Sequence, residues 1–219
     1  MIIYGTNMNN SQNLFEVDQT QYDKKQLFID AAICSLAHHG YKGTTVRQIA
    51  KYAGVAPGLL THYYKGKEVL IAESYKYLAK QFLDDFQAKI GEKETNPVKT
   101  LQLFFQDFFE PDNMRAEYLR VWLAFWTLTL TEPHLRSTHK EIHDQYISSI
   151  ETMLLEALKA NNIDPHIKDT KSLATGIHAL LDGLWLECCL DPDAFSQAQN
   201  LKIIYNFAQS TTGLNIRPT

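Results

Sequence analysis

Residues 44–67 have the sequence T-T-V-R-Q-I-A-K-Y-A-G-V-A-P-G-L-L-T-H-Y-Y-K-G-K, which contains the strongest structural signals in the chain. Thr45, followed three residues later by Gln48, forms a capping-box pattern that predicts the start of a helix. Gly54 is expected to end this helix after about two turns. Pro57 suits the first position of a second short helix, which would run to about Tyr64. Two short helices joined by a glycine-containing turn form a helix-turn-helix.

A third helix is predicted before this segment. Between Asp23 and His39 apolar residues recur every four positions, which places Phe28, Ala32 and Leu36 on one helix face. Gly40 is expected to end this helix. The apolar side of the next helix is predicted to contain Val46, Ile49, Ala50 and Ala53. In the helix after it, Leu60 and Tyr64 are predicted to face the core. Residues 21–67 thus form a predicted three-helix headpiece.

The charge of the chain is unevenly distributed. Residues 21–67 contain seven Lys and Arg but only two Asp, whereas the remainder contains 14 basic and 23 acidic side chains. A basic module on an acidic body suits a protein that contacts phosphates at one end, because phosphate binding depends on local positive charge. A chance fluctuation along an ordinary helical protein is the alternative.

The second helix of a helix-turn-helix enters the major groove of DNA, where side chains near its start contact base edges. The residues predicted to face bases are Gly58, Leu59, Thr61, His62 and Tyr63. Thr45, Arg47 and Lys67 are placed to contact phosphates, and Arg47 could instead contact a guanine edge. Two short helices also occur in helical proteins that bind no DNA, and Tyr63 could belong partly to the core.

The rest of the chain is predicted to be helical, so the fold class is all-α. Helices are expected near 67–90, 97–109, 114–131, 134–161, 168–190 and 194–212, with prolines between most of them. Residues 1–20 are polar and without a sustained period, which predicts an unstructured arm. The predicted organisation is an arm at 1–20, a headpiece at 21–67 and a helical domain at 68–219.

Neither a membrane protein nor an enzyme is indicated. No stretch approaches the roughly 20 uninterrupted apolar residues of a membrane span, and the three cysteines suggest reduced thiols in the cytoplasm. His139 and His143 flank Glu141 without the H-E-x-x-H order, so a solvated helix face is preferred to a metal site. We expect no cofactor, no metal and no catalytic residue. An all-helical enzyme or small-molecule-binding protein is the competing class.

The headpiece resembles that of the TetR family. The resemblance runs from Phe28 to Leu70, through A-A at 31–32, H-G-Y-K-G-T-T-V-R-Q-I-A at 39–50, G-V at 54–55 and G-L-L-T-H-Y-Y-K-G-K-E-V-L at 58–70. It implies a homodimeric repressor that binds double-stranded operator DNA and releases it when a small molecule binds the carboxy-terminal domain. Ala56 departs from the family pattern, in which a serine often caps the reading helix.

Within the family the chain is similar to the choline-responsive BetI-type branch, through L-L-T-H-Y-Y-K-G-K at 59–67, Y-L-R-V-W-L-A-F-W at 118–126 and A-L-L-D-G-L-W-L at 179–186. This likeness implies control of choline and glycine betaine metabolism. A regulator of an efflux or catabolic operon with another effector is the alternative. The family also implies dimerisation through the helices near 168–190 and 194–212, where Gly176 and Gly183 would allow close helix approach. Burial within one subunit is the other explanation for these glycines.

The predicted effector site is aromatic. Residues 97–131 contain eight of the 25 aromatic residues, which is more than an even distribution would give. Aromatic faces attract quaternary ammonium groups, and a nearby carboxylate would complete a cation site. The residues predicted to bind the effector are Tyr118, Trp122, Phe125, Trp126, Asp182 and Trp185. Ordinary core packing is the alternative.

Overall fold

A computed structural model describes residues 24–90, 94–165, 169–191, 193 and 196–217. In these ranges the chain is helical and contains no strand, which confirms the all-α class. The predicted arm at 1–20 lies outside the described residues. The helices are α1 (Lys24–Gly43), α2 (Val46–Tyr52), α3 (Pro57–Tyr63), α4 (Lys67–Ile90), α5 (Pro97–Phe108), a 3₁₀ turn (Pro111–Met114), α6 (Ala116–Thr131), α7 (Pro133–Ala160), α8 (Thr170–Leu190) and α9 (Gln197–Thr212).

The start of α2 shows half of the predicted capping box. The Thr45 hydroxyl accepts a hydrogen bond from the Gln48 backbone N–H at 3.1 Å. The Gln48 side chain does not return to the cap, because its Nε2 lies 2.9 Å from His39 Nε2 at the end of α1. Gly40, with a φ of 61°, breaks α1 where the sequence predicted a stop, and one further turn follows it.

The helix predicted to read DNA, α3, begins where the sequence predicts but without a side-chain cap. Ala56 has the extended backbone of an N-cap residue and offers no acceptor, while Pro57 occupies the first turn. Leu60 and Tyr64 are buried, as predicted from their spacing. On the predicted apolar side of α2, Ile49, Ala50 and Ala53 are buried and Val46 is half-buried.

The chain divides into two compact units. The first contains residues up to Asp85 together with Glu117–Lys140, and the second contains Phe86–Ala116 together with Glu141–Thr219. The first unit therefore includes α6 and the beginning of α7 in addition to the headpiece. The functional boundary at 67/68 stays a prediction, because compactness and function need not divide a chain at the same position.

Within the first unit, α6 packs on the helices of the headpiece side. The Arg120 guanidinium donates a hydrogen bond to the Ala37 carbonyl of α1 at 3.3 Å. Phe125 is fully buried, and its ring stacks on Tyr75 of α4 with centroids 4.6 Å apart. A movement of α6 would therefore act directly on α1 and α4.

Within the second unit, α8 packs against α9 and the 3₁₀ turn. Trp185 donates its indole N–H to the Asn113 carbonyl at 2.7 Å, and Gln197 donates to the Phe109 carbonyl at 3.0 Å. Of the described helices, α8 alone is long and apolar enough to cross a bilayer, a test that core helices of soluble proteins also pass. The sequence prediction counted uninterrupted apolar residues, whereas α8 passes on its length and mean hydropathy.

Candidate DNA-binding and effector sites

The residues predicted to face bases form one exposed surface of α3. Gly58, Leu59, Thr61, His62 and Tyr63 are all exposed, whereas Leu60 between them is buried. The Thr61 hydroxyl donates to the Gly58 carbonyl at 2.9 Å, so its lone pairs can accept hydrogen bonds from base amino groups. Their contact with DNA remains a prediction, which this exposure supports.

Tyr63 is partly exposed and also contacts the core. Its side chain is 39% exposed, yet its ring lies 5.5 Å from that of the buried Phe28. His62 meets Tyr63 edge-on at 5.7 Å. Tyr63 is therefore supported by the core and would hold His62 in place, which keeps both of its predicted roles open.

The residues predicted to contact phosphates differ in their surroundings. Arg47 is exposed, and within the described residues it forms no hydrogen bond or ion pair. Lys67 is half-buried, donates to the Thr44 carbonyl at 2.9 Å and lies 4.2 Å from the centre of the Tyr41 ring. Thr45 is exposed and caps α2. Arg47 is thus ready for a ligand, while Lys67 also joins α4 to the start of α2.

The sequence analysis missed a polar aromatic cluster where α1 meets α2. The His38 ring stacks on Tyr52 with centroids 5.8 Å apart, and His39 Nε2 lies 3.1 Å from the Tyr52 hydroxyl. Tyr52 is 37% exposed. An exposed tyrosine at the end of a short helix was the available signal, but its partners come from a different helix. The cluster holds the exposed end of α2 against α1.

Four of the six predicted effector residues form a connected aromatic cluster, here called the α6 cluster: Tyr118, Trp122, Phe125 and Trp126. The Trp122 ring meets Phe125 at 5.9 Å, Tyr118 at 6.2 Å and Trp126 at 6.5 Å. Tyr118, Trp122 and Trp126 are half-buried, so part of each ring can be reached.

The α6 cluster packs against Tyr75 of α4, which was not predicted from the sequence. Tyr75 of α4 stacks on Phe125 and meets Trp122 edge-on at 5.6 Å. The Tyr75 hydroxyl is 2.7 Å from His139 Nδ1. His139 is therefore half-buried with an internal partner, and its predicted place on a solvated helix face was wrong.

The other two predicted effector residues, Asp182 and Trp185, lie on α8 in the second unit. Trp185 is 5% exposed, and its indole N–H is bonded within the unit. Asp182 Oδ2 lies 3.4 Å from His178 Nδ1, one turn earlier on the helix. Burial raises the pKa of the Asp182 carboxyl to about 7.

Two rings of α7 pack against His178 of α8. His178 meets His143 edge-on at 5.2 Å and Tyr146 at 5.5 Å. His143 is half-buried, so its predicted place on a solvated face was also wrong. The sequence analysis missed Tyr146 and His178, although the pairs His143/Tyr146 and His178/Asp182 have the spacing of helix neighbours. Among the described residues, no three His, Cys, Asp or Glu side chains are arranged to hold a metal ion.

The two parts of the chain match known families. Residues 28–73 match the family described as bacterial regulatory proteins, tetR family, and residues 97–213 match the family described as BetI-type transcriptional repressor, C-terminal. The chain is 26% identical over 189 residues to the HTH-type transcriptional regulator BetI of Serratia proteamaculans, covering 84% of this chain and 90% of that one.

Solved structures show the same fold. The crystal structure of a transcriptional regulator from Pseudomonas aeruginosa has a TM-score of 0.76 at 29% identity, covering 86% of this chain and 90% of that chain. A regulator from Saccharomonospora viridis, solved in complex with choline, has a TM-score of 0.73 at 19% identity, covering 84% and 95%.

These relatives are regulators of transcription, a class that is not enzymatic. Regulators of the family bind operator DNA and small-molecule effectors. The chain belongs to the TetR family of DNA-binding transcriptional repressors and has a BetI-type carboxy-terminal domain.

Proposed function

We propose that this repressor acts as a cytoplasmic homodimer and leaves its operator when a small methylated ammonium compound such as choline binds. The α6 cluster is the observation that carries this proposal, because it offers three reachable aromatic rings on one helix. Such rings attract a cation whose methylated nitrogen can donate no hydrogen bond. The choline complex of the S. viridis regulator and the likeness to BetI support the same class of effector.

The dimer is proposed to form through α8 and α9. Only 33% of the apolar stretch of α8 is buried, and the exposed apolar residues nearby include Leu190 at 61% and Ile203 at 37%. A Cβ added to Gly183 would meet no atom within 4 Å, which leaves room for a second helix. A Cβ on Gly176 would lie 3.4 Å from Phe207 of α9, so this glycine serves packing within the subunit.

Substitution at Gly183 tests the dimer. Gly183→Glu has space within one subunit, so its far-UV circular dichroism should match that of the wild type. A charge at a close helix crossing should shift the mass measured by light scattering from dimer towards monomer. Gly183→Ala is the smaller control. A Gly183→Glu protein that remains dimeric would mean that the subunits meet elsewhere.

The proposed coupling runs through α6. This helix carries the α6 cluster and contacts α1 through Arg120 and α4 through Phe125. An effector that moves α6 would change the placement of the headpiece, and in a dimer the two reading helices must fit successive major grooves about 34 Å apart. A coupling of about 1–3 kcal/mol would lower operator affinity on the order of 5–150-fold.

Two measurements test the effector assignment. Footprinting upstream of the repressor's own and neighbouring genes locates the operator, and titration with choline, betaine aldehyde and glycine betaine follows its release. Isothermal titration of the same compounds into DNA-free protein measures binding directly. We expect at least one of them to bind and to weaken the operator complex. No heat and no release with any of them would remove the choline assignment while leaving the DNA-binding activity intact.

A further inference from the structure

One side of α6 is an exposed surface outside the headpiece and the proposed dimer helices. Leu130 is 75% exposed, the largest value among the big apolar side chains of the described residues, and Leu123 is 39% exposed. Thr127, which lies between them, is exposed as well. Residues at i, i+4 and i+7 lie on one side of a helix. These three side chains therefore form a continuous surface, here called the α6 outer face.

The α6 outer face is suited to pairing with itself. Leu123 and Leu130 are seven residues apart, which is about 10.5 Å along the helix. A second α6 can lie antiparallel across the midpoint between them, so that Leu123 of each copy meets Leu130 of the other. The same contact then occurs twice about a twofold axis, which is the arrangement of a symmetric interface between identical chains. Four leucines would leave water in this contact.

Charges at the two ends of α6 favour the antiparallel direction. Glu117 lies in the first turn of the helix. At the other end, the Arg136 guanidinium donates hydrogen bonds to the Thr129 and Leu130 carbonyls at 3.3 and 3.1 Å. Antiparallel helices bring the Glu117 end of one copy to the Arg136 end of the other, so opposite charges meet. Parallel helices would bring like charges together at both ends.

The dimensions of α6 limit the strength of this contact. The helix contains 16 residues, which is about 24 Å. A single pair of helices of this length buries less than the roughly 1,200–2,000 Å² of a stable interface. The association is therefore expected to be weak and to depend on protein concentration. Trp122 and Trp126 are about 100° and 60° around the helix from Leu123, so the contact is centred beside the α6 cluster and not on it.

We propose that the α6 outer face binds the same face of a second copy of this chain, with the two helices antiparallel. The contact is separate from the proposed pairing through α8 and α9, because α6 belongs to the first compact unit and α8 and α9 belong to the second. It therefore joins two dimers.

Sedimentation velocity over a series of protein concentrations tests the association. The wild type should shift from dimer towards tetramer as its concentration rises. Leu130→Glu should stay dimeric throughout the series, because it would bury a carboxylate against Leu123 of the second copy. Its exposed position makes a folding defect unlikely to interfere, since exposed substitutions change stability by about 0.5 kcal/mol or less. Thr152→Glu adds the same charge at an exposed position of α7 and should associate like the wild type.

Cysteine variants test the direction of the helices. A disulfide requires Cα atoms about 4.4–6.8 Å apart. The antiparallel contact brings position 123 of one copy beside position 130 of the other, whereas two copies of the same position are separated by about 10.5 Å along the axis. A mixture of Leu123→Cys and Leu130→Cys, carrying tags of different size, should form the mixed disulfide, and each variant alone should form few disulfides. The three native cysteines are buried, which keeps the background low.

The outcomes separate this contact from the proposed dimer. If Leu130→Glu and wild type are identical dimers at every concentration, the α8 and α9 dimer stands and the α6 contact is wrong. If Leu130→Glu is monomeric while Gly183→Glu is dimeric, the α6 contact stands and the α8 and α9 dimer is wrong. Disulfides formed as readily by each cysteine variant alone as by the mixture would overturn the antiparallel arrangement. A photocrosslinker at position 130 that reacts with residues 1–23 of its own chain would also overturn the proposal, because that segment would then cover the face.

Discussion

Replacing Arg47 by alanine tests how the headpiece meets DNA. Arg47 is the second residue of α2, it is exposed, and within the described chain it has no hydrogen-bond or ion-pair partner. Its removal should therefore change the free energy of unfolding by no more than about 0.5 kcal/mol. Any larger effect on operator binding would then come from the interface itself.

The size of that effect depends on what the guanidinium contacts. Each phosphate contact contributes about 0.9 to the slope of log affinity against log salt. A dimer presents two copies of Arg47, so the slope should fall by about 1.8 if both contact phosphates. If Arg47 instead pairs with a guanine, the loss should be about 1–3 kcal/mol per contact and confined to DNA that contains this base.

Fluorescence anisotropy with operator and scrambled duplexes, over a range of salt concentrations, distinguishes the two contacts. A phosphate contact weakens binding to both duplexes, and a base contact weakens the operator alone. Lys159→Ala removes an exposed cation of α7, outside the headpiece and the proposed dimer helices, and should change neither slope. If Arg47→Ala kept both the affinity and the slope of the wild type, Arg47 would contact neither a phosphate nor a base, and its predicted role at the DNA would be wrong.

Four further substitutions have defined outcomes. Lys67→Met removes the hydrogen bond to the Thr44 carbonyl and the contact with the Tyr41 ring, so the free energy of unfolding measured by thermal denaturation should fall by about 1–2 kcal/mol. An unchanged melting temperature would mean that Lys67 serves only to contact phosphate. Ala56→Ser supplies the missing cap of α3 and should gain about 1 kcal/mol, a rise of about 2–4 °C in Tm at fixed protein concentration, whereas Ala56→Val should gain nothing. Arg120→Met breaks the contact with the Ala37 carbonyl and should keep operator affinity while reducing its loss on effector binding; full release would show that the contact transmits nothing. Burial raises the pKa of the Asp182 carboxyl from 3.8 to about 7, so the folded state holds this proton more tightly than the unfolded state, and the folded state loses stability as the pH rises through that range. Asp182→Asn should therefore have a higher Tm than the wild type at pH 8 and lose that advantage towards pH 4. A difference in Tm that did not depend on pH would contradict the raised pKa.

Local signals predicted most of the helical architecture. Gly40, Thr45 and Pro57 each act on the backbone within a few residues, through a left-handed conformation, a hydroxyl acceptor and a fixed φ. These effects need no partner from elsewhere in the chain, so the sequence alone reveals them. The predicted partner of the cap, Gln48, failed for the opposite reason, because His39 of another helix binds its side chain.

The candidate effector residues divide in the same way. The α6 cluster follows from spacing on one helix, and the structure brings its four members together. Asp182 was identified by its charge, but the rings of His143 and Tyr146, which pack against its neighbour His178, come from α7. Helix periodicity cannot predict which faces of two helices meet. The contact between Tyr75 of α4 and His139 of α7 was not predicted for the same reason.

The contacts of the first unit explain why a small displacement could reach the DNA-binding surface. Trp122 contacts Tyr75 of α4 directly and also through the buried Phe125, so a ligand that shifts Trp122 would press on α4. Tyr75 lies eight residues after Lys67, about 12 Å along the helix, and Lys67 is bonded to the carbonyl that precedes the cap of α2. Packed cores tend to change between discrete arrangements instead of deforming continuously. A displacement of α4 that begins at Tyr75 would therefore act on the start of α2 through the bond between Lys67 and the Thr44 carbonyl.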